Sequence, residues 1–110
     1  MKNFFGSIFI NRDKLLEAGI NYPIKVEYYK IINEEEKVKK DKLLYGIQII
    51  KTEYRDKIGV EGNKIESITN EEKEVDKMLT LMKENEVTPI ALEDIVTELK
   101  NIQDLQKIKI

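Results

Sequence analysis

Cysteine, histidine and tryptophan are all absent from this chain of 110 residues. Without cysteine there is no disulfide and no thiolate chemistry, which is typical of a protein from a reducing compartment. Without histidine, the commonest general base and the commonest transition-metal ligand are both missing. No phosphate-binding loop is recognisable either. We therefore expect a cytoplasmic protein that is not an enzyme and needs neither a cofactor nor a metal ion.

Long apolar runs are missing as well, and the longest candidate lies at the N-terminus. Phe4 and Phe5 are followed by Gly6 and Ser7, and charged residues begin at Arg12. This stretch is too short for the core of a signal peptide or for a membrane span. We expect no membrane association.

The chain is rich in charged residues but nearly neutral overall. Charged residues make up 36% of it, hydrophobic residues 41%, and the formal net charge is −2. This length and composition predict one folded domain, residues 1–110. Positive charge predominates up to Lys64 and negative charge after it. The imbalance permits a charged partner surface, although unevenly distributed solvated faces are the simpler interpretation.

The middle of the chain predicts an antiparallel sheet. Ile24–Asn33 and Leu43–Tyr54 are rich in Val, Ile and Tyr and predict two strands, with the charged run Glu34–Lys42 as their connection. Ile58–Thr69 predicts a third strand. Gly46, inside the second strand, indicates a bulge or a close approach of another backbone.

Three helices are expected around this sheet. Met1–Ile10 is extended and apolar, and Asn11 is a candidate cap for a brief helix that ends before Gly19. Thr69 with Glu72 fits a capping box for a helix that ends near residue 85. Thr88 is a candidate N-cap for a last helix that has Pro89 at its first position and runs to about residue 100.

These elements predict an α+β fold in a single domain. Residues 24–69 form a three-stranded antiparallel sheet, and residues 70–100 form a two-helix hairpin packed on one of its faces. Residues 1–20 are an N-terminal apolar segment, and residues 101–110 are a tail.

Both faces of the predicted sheet are apolar, although a sheet with helices on one side is usually polar on the other. One face, expected to meet the helices, carries Val26, Tyr28, Tyr45, Ile47 and Ile49. The second face carries Tyr29, Ile31, Leu44, Ile50 and Tyr54. We favour coverage of the second face by the N-terminal segment. Otherwise these five residues bind another protein or a second copy of the chain.

Acidic residues cluster on both predicted C-terminal helices, and we interpret them as solvated faces, because their spacing matches no calcium loop. They are Glu71, Glu72, Glu74 and Asp76 on one helix and Glu93, Asp94 and Glu98 on the other. No metal site is therefore predicted, and the second group disfavours DNA reading by the last helix. A single-strand platform on the sheet would use Lys25, Tyr28, Tyr29, Lys30 and Lys51.

Two segments resemble a family of small clostridial (Firmicutes) proteins described only as a domain of unknown function. They are Tyr45–Lys51, with the sequence YGIQIIK, and Val87–Val96, with the sequence VTPIALEDIV. The resemblance covers about residues 24–100 and implies no catalytic residue.

The sequence thus favours a non-enzymatic protein–protein interaction module. We expect a small cytoplasmic regulator or inhibitor, of which a phage- or mobile-element-borne anti-defence protein is a concrete version. The alternative is a nucleic-acid-binding regulator that uses the basic N-terminal half.

Overall fold

A computed structural model describes residues 1–38 and 42–108 of the chain. Its elements, in chain order, are strand β1 (Lys2–Phe9), helix α1 (Arg12–Glu17), strand β2 (Ile24–Val38), strand β3 (Lys42–Glu53), strand β4 (Gly59–Thr69), helix α2 (Glu72–Glu84), a 3₁₀ turn (Pro89–Ala91) and helix α3 (Leu92–Ile108). The fold is α+β with an antiparallel sheet, as predicted. None of the described helices is both long and apolar enough to cross a membrane.

The sheet has four strands in the order β1-β2-β3-β4, so the prediction of three strands was wrong. The additional strand is β1, which pairs antiparallel with β2 from Lys2 opposite Ile31 to Phe9 opposite Lys25. The predicted N-terminal segment therefore extends the sheet sideways and does not fold across its second face. Its backbone groups gain strand partners in this position, which they would lack if they lay flat on side chains.

The helices do not form the predicted two-helix hairpin. Helix α2 lies across all four strands, whereas the 3₁₀ turn contacts β3 and β4 and α3 contacts β4. The apolar side of α2 is buried on the sheet through Val75, Leu79 and Met82, none of which is exposed to solvent. Periodicity identified these apolar sides, but the larger apolar surface of the sheet determines what they pack against.

Of the three predicted helix caps, one is confirmed. The Asn11 side chain accepts hydrogen bonds from the backbone N–H groups of Asp13 and Lys14 and caps α1, as predicted. The capping box was wrong: Thr69 is still a strand residue, and its hydroxyl donates to Glu74 at 3.0 Å. Thr88 occupies the N-cap position of the 3₁₀ turn, but its side chain makes no cap hydrogen bond.

Two elements are longer than predicted. Strand β2 continues past Asn33 to Val38, and the partner of Val38 is Lys42 in β3. The predicted connection is therefore largely strand, except for residues 39–41, which lie outside the described residues. Helix α3 runs through most of the predicted tail to Ile108, and residues 109–110 also lie outside.

Gly46 lies where β4 bends, and the bulge or close approach predicted there is confirmed. The pairing of β3 with β4 shifts between Tyr45 and Ile47. A Cβ atom at Gly46 would overlap the carbonyl oxygen of Ile65 and would lie 2.5 Å from that of Glu66. Only glycine lets the two backbones come this close.

Glu86 ties the N-terminal helix to the turn that follows α2. This residue has a positive φ of 53°. Its carboxylate accepts hydrogen bonds from Lys14 Nζ at 2.5 Å and from the Asn11 backbone N–H at 3.1 Å. The bond from Lys14, followed by that from Asn11, holds the pKa of Glu86 below its usual value of 4.5.

This lowered pKa predicts a pH-dependent contribution to stability. A group whose pKa is lower in the folded state stabilises the fold above its unfolded pKa and loses that effect as the pH falls through the folded pKa. Glu86→Gln should therefore cost about 1 kcal/mol at pH 7, because Lys14 is largely exposed. Urea denaturation should show the gap between the two proteins closing well below pH 4.5. The same difference in stability between the two proteins at pH 7 and at a pH well below 4.5 would contradict this assignment.

Candidate binding surface

The two faces of the sheet differ in what covers them. On the helix side, Val26, Tyr28, Ile47 and Ile49 have no exposed surface, as the sequence predicted for the face that meets the helices. No helix among the described residues packs on the opposite side, which we call the open face. The open face is thus a sheet surface that none of the described helices covers.

The structure brings all five predicted binding residues to the open face. The register places Asn33 opposite Leu44, Tyr29 opposite Gln48 and Glu27 opposite Ile50, so that these side chains point the same way. Tyr29, Ile31, Leu44 and Ile50 are half-buried, and Tyr54 is 39% exposed. Their role in binding remains a prediction.

Three apolar residues of the open face were not in the predicted set. Phe4, Phe9 and Val60 are 59%, 62% and 68% exposed. The Phe4 ring meets the Tyr29 ring edge-on, with centroids 5.6 Å apart, and the Phe9 ring lies 6.4 Å from that of Tyr54. Two aromatic pairs therefore stand near β1 on the open face, one towards each end of the strand.

The phenylalanines were missed because the N-terminal segment was expected to cover the second face, whereas a bulge in β1 brings both onto it. Phe4 and Phe9 are five positions apart, so a regular strand would point them to opposite faces. The pairing of β1 with β2 shifts between Phe4 and Gly6, and this irregularity restores the common side. Gly6, interrupting an apolar run, was the available signal.

Charged groups on the open face cluster around one tyrosine. Lys2 Nζ lies 4.4 Å from the centre of the Tyr29 ring, a cation–π distance. The Tyr29 hydroxyl donates to Glu27 at 3.0 Å. Burial, and then this hydrogen bond to the carboxylate, raise the pKa of Tyr29. The phenol therefore stays protonated at neutral pH.

The residues that a single-strand platform would use are divided between the two faces. Tyr28 is fully buried on the helix side, and its hydroxyl donates to the Val87 carbonyl oxygen at 2.7 Å. Lys30 donates to Glu72 and Asp76 at 2.7 and 3.0 Å. Lys51 also lies on the helix side, 3.6 Å from Glu61. These five residues therefore do not share one surface, because neighbouring residues of a strand face opposite ways.

One residue of the acidic clusters, Glu74, is buried and not exposed to solvent as predicted for these clusters. Glu74 is 5% exposed; its carboxylate accepts from the Thr69 hydroxyl and lies 3.4 Å from Lys100 Nζ. Glu74 is thus a buried, paired carboxylate that links α2 to α3. Among the described residues, no group of three His, Cys, Asp or Glu side chains is arranged to hold a metal ion.

A cleft of about 430 Å³ lies between the end of β1, α1 and the start of β2. Its lining is mostly apolar and includes Phe9, Leu15, Leu16 and Ile20, and Arg12 is its one charged lining residue. The lining also includes Tyr22, whose hydroxyl donates to the Glu53 carboxylate at 3.4 Å. The cleft continues the apolar character of the open face beyond Phe9.

Comparison with known proteins gives a family but no characterised relative. The model of a family of unknown function, DUF6514, matches residues 8–101. No curated protein and no solved structure matches the chain. The match confirms the predicted resemblance to a domain of unknown function, and it begins within β1, earlier than expected. A clostridial origin remains a prediction.

Proposed function

Because this chain belongs to DUF6514, a family of unknown function, we propose its role from its own surface. The protein is a non-enzymatic interaction module that binds another protein through the open face of its sheet. It acts as a small cytoplasmic regulator or inhibitor, for which the lack of cysteine is the supporting sign. An anti-defence inhibitor from a mobile element of a Firmicutes host is one specific version.

The observation that carries this proposal is the uncovered apolar surface. Eight apolar side chains share the open face: Phe4, Phe9, Tyr29, Ile31, Leu44, Ile50, Tyr54 and Val60. Contiguous apolar surface of this kind on a small protein marks a contact site. Aromatic residues, which are enriched in the centres of protein interfaces, make up half of the set.

The charges on this face support a protein partner more than a nucleic acid. Lys30 and Lys51 are engaged by carboxylates on the helix side. On the open face, Lys64 lies 3.2 Å from Glu66, Lys2 stacks on the Tyr29 ring, and Lys25 shares the face with Glu27. A strand of nucleic acid needs a continuous row of unpaired cations along its phosphates, and mixed charge around an apolar centre fits a protein interface better.

Affinity capture with a matched pair of variants tests the proposal. Ile50→Lys puts a charge in the middle of the open face, whereas Ile90→Lys puts the same charge on the 3₁₀ turn, where the side chain is 84% exposed. We expect Ile50→Lys to weaken partner binding by about 30-fold or more, the effect of losing an interface hot spot. Ile90→Lys should bind as the natural chain does.

The partner is identified by mass spectrometry of material captured from the native host, and affinities are then measured with the purified partner. Circular dichroism of each variant separates loss of binding from loss of folding. Equal binding by both lysine variants would contradict a role for the open face. Capture of nucleic acid without protein would favour the alternative of a nucleic-acid-binding regulator.

A further inference from the structure

Strand β1 is an unprotected edge of the sheet. It pairs with β2 on one side, and no other described strand lies on its other side. Only Lys2 is charged among its eight residues, whereas the opposite edge strand, β4, carries Glu61, Lys64 and Glu66. Charges on an edge strand discourage pairing with another chain, and an uncharged edge invites it.

The outward backbone groups of β1 follow from its two ends. The Met1 carbonyl oxygen accepts from the Ile32 N–H at 2.8 Å, and the Ile10 N–H donates to the Ile24 carbonyl oxygen at 2.9 Å. Both ends therefore point their hydrogen-bonding groups at β2, although Met1 and Ile10 differ by an odd number of positions and a regular strand would point them in opposite directions. The bulge between Phe4 and Gly6 absorbs the difference.

Alternation from each end then leaves four residues whose N–H and C=O groups point away from β2. They are Lys2, Phe4, Ser7 and Phe9. Their spacing is two, three and two residues, so it reads the same in both chain directions. In a regular strand the backbone N–H and C=O groups of every second residue point to the same side. Such a strand would lose its hydrogen-bonding register with β1 at the bulge. Only a strand with the same irregularity can satisfy all four residues.

We propose that β1 pairs antiparallel with β1 of a second copy of this chain. Phe4 then lies opposite Ser7 of the partner subunit, and Lys2 lies opposite Phe9 of the partner subunit. The two bulges face each other across the two-fold axis, which keeps the strands in step. The contact is the same patch on both copies and closes as a dimer with one continuous eight-stranded sheet.

This dimer is independent of the proposed function, because it uses the edge of the sheet and leaves the open face free. It sets the two open faces side by side, with the aromatic pairs of both copies next to the axis. A partner protein would then meet a surface twice as wide as that of one copy. Loss of the dimer and loss of partner binding can be measured separately.

Sedimentation velocity over a range of concentrations gives the first test, with two substitutions of one residue. Ser7→Pro removes an outward N–H that β2 does not use, whereas Ser7→Ala keeps it. We expect the natural chain and Ser7→Ala to dimerise equally, and Ser7→Pro to raise the dimer dissociation constant at least about tenfold. A natural chain that is monomeric at every concentration would overturn the proposal. So would a dimer that Ile50→Lys disrupts and Ser7→Pro does not.

Cysteine cross-linking tests the register and does not depend on the proline variant. The natural chain has no cysteine, so the introduced thiols are the only ones present. We expect Phe4→Cys mixed with Ser7→Cys to form a disulfide between the two variants, because facing residues lie within disulfide reach. Each variant alone should remain largely uncross-linked, since Phe4 does not face Phe4 of the partner subunit. Equal cross-linking in all three samples would contradict the register.

Discussion

Replacing Gly46 by alanine is expected to destabilise the protein by about 3 kcal/mol or more. The new Cβ atom would overlap the Ile65 carbonyl oxygen and would lie 2.5 Å from that of Glu66. Both are backbone atoms of β4, so no side-chain rotation relieves the overlap. Folding would require β4 to move off β3, with loss of the pairing around Tyr45 and Thr69.

Gly62→Ala is the matched control for this prediction. Gly62 also lies in the pairing of β3 with β4, opposite Ile50, but its nearest neighbour to an added Cβ is 3.6 Å away, an ordinary contact. This variant should be as stable as the natural chain or slightly more stable, because alanine restricts the unfolded chain. Urea denaturation of both variants measures the difference. Equal stability would mean that β4 does not approach Gly46 as described.

Tyr28→Ala and Tyr29→Ala are expected to differ strongly in their cost to stability, although the two residues are adjacent in the chain. Tyr28 is fully buried under the helices and donates to the Val87 carbonyl oxygen at 2.7 Å. Tyr28→Ala should cost about 3–5 kcal/mol, because it leaves a large cavity and an unpaired carbonyl group. Tyr29→Ala removes contacts only on the open face and should cost no more than about 1 kcal/mol.

Tyr29→Ala should affect partner binding more than it affects stability. Tyr29→Ala should fold normally and bind the partner at least about tenfold more weakly, because an aromatic anchor is lost. Thermal denaturation gives the stability of each variant, and titration with the captured partner gives the affinity of Tyr29→Ala. If Tyr29→Ala were the more destabilising change, the assignment of the two faces would be wrong.

The strands of the central hairpin and the division of their faces could be predicted from the sequence. Alternation alone placed Tyr28 and Ile47 under the helices and Tyr29 and Ile50 on the other side, since side chains of a strand alternate. The role of Gly46 was also predictable, because a glycine inside an otherwise good strand needs a local reason. These features depend on short-range rules that a single segment can reveal.

The edge strand and the arrangement of the helices could not be predicted in the same way. Gly6 divides the N-terminal run into two halves of opposite parity, and only the pairing with β2 shows that they form one strand. Helix periodicity shows that α2 has an apolar side, but not whether α3 or the sheet will cover it. Thr69 is not the cap because the helix begins at Glu72 with Glu71 at the N-cap position, so that the Thr69 hydroxyl oxygen accepts only from the Glu71 N–H, which precedes the helix.

The chain-order arrangement of the four strands has a consequence for how the protein forms during synthesis. Each strand pairs with the strand made just before it, so the sheet can assemble progressively as the chain leaves the ribosome. The helices that cover one face are made last. Until α2 has been synthesised, neither face of the newly formed sheet is covered by it, and Tyr28 is as accessible to solvent as Tyr29. The arrival of α2 is the step at which the two sides become different.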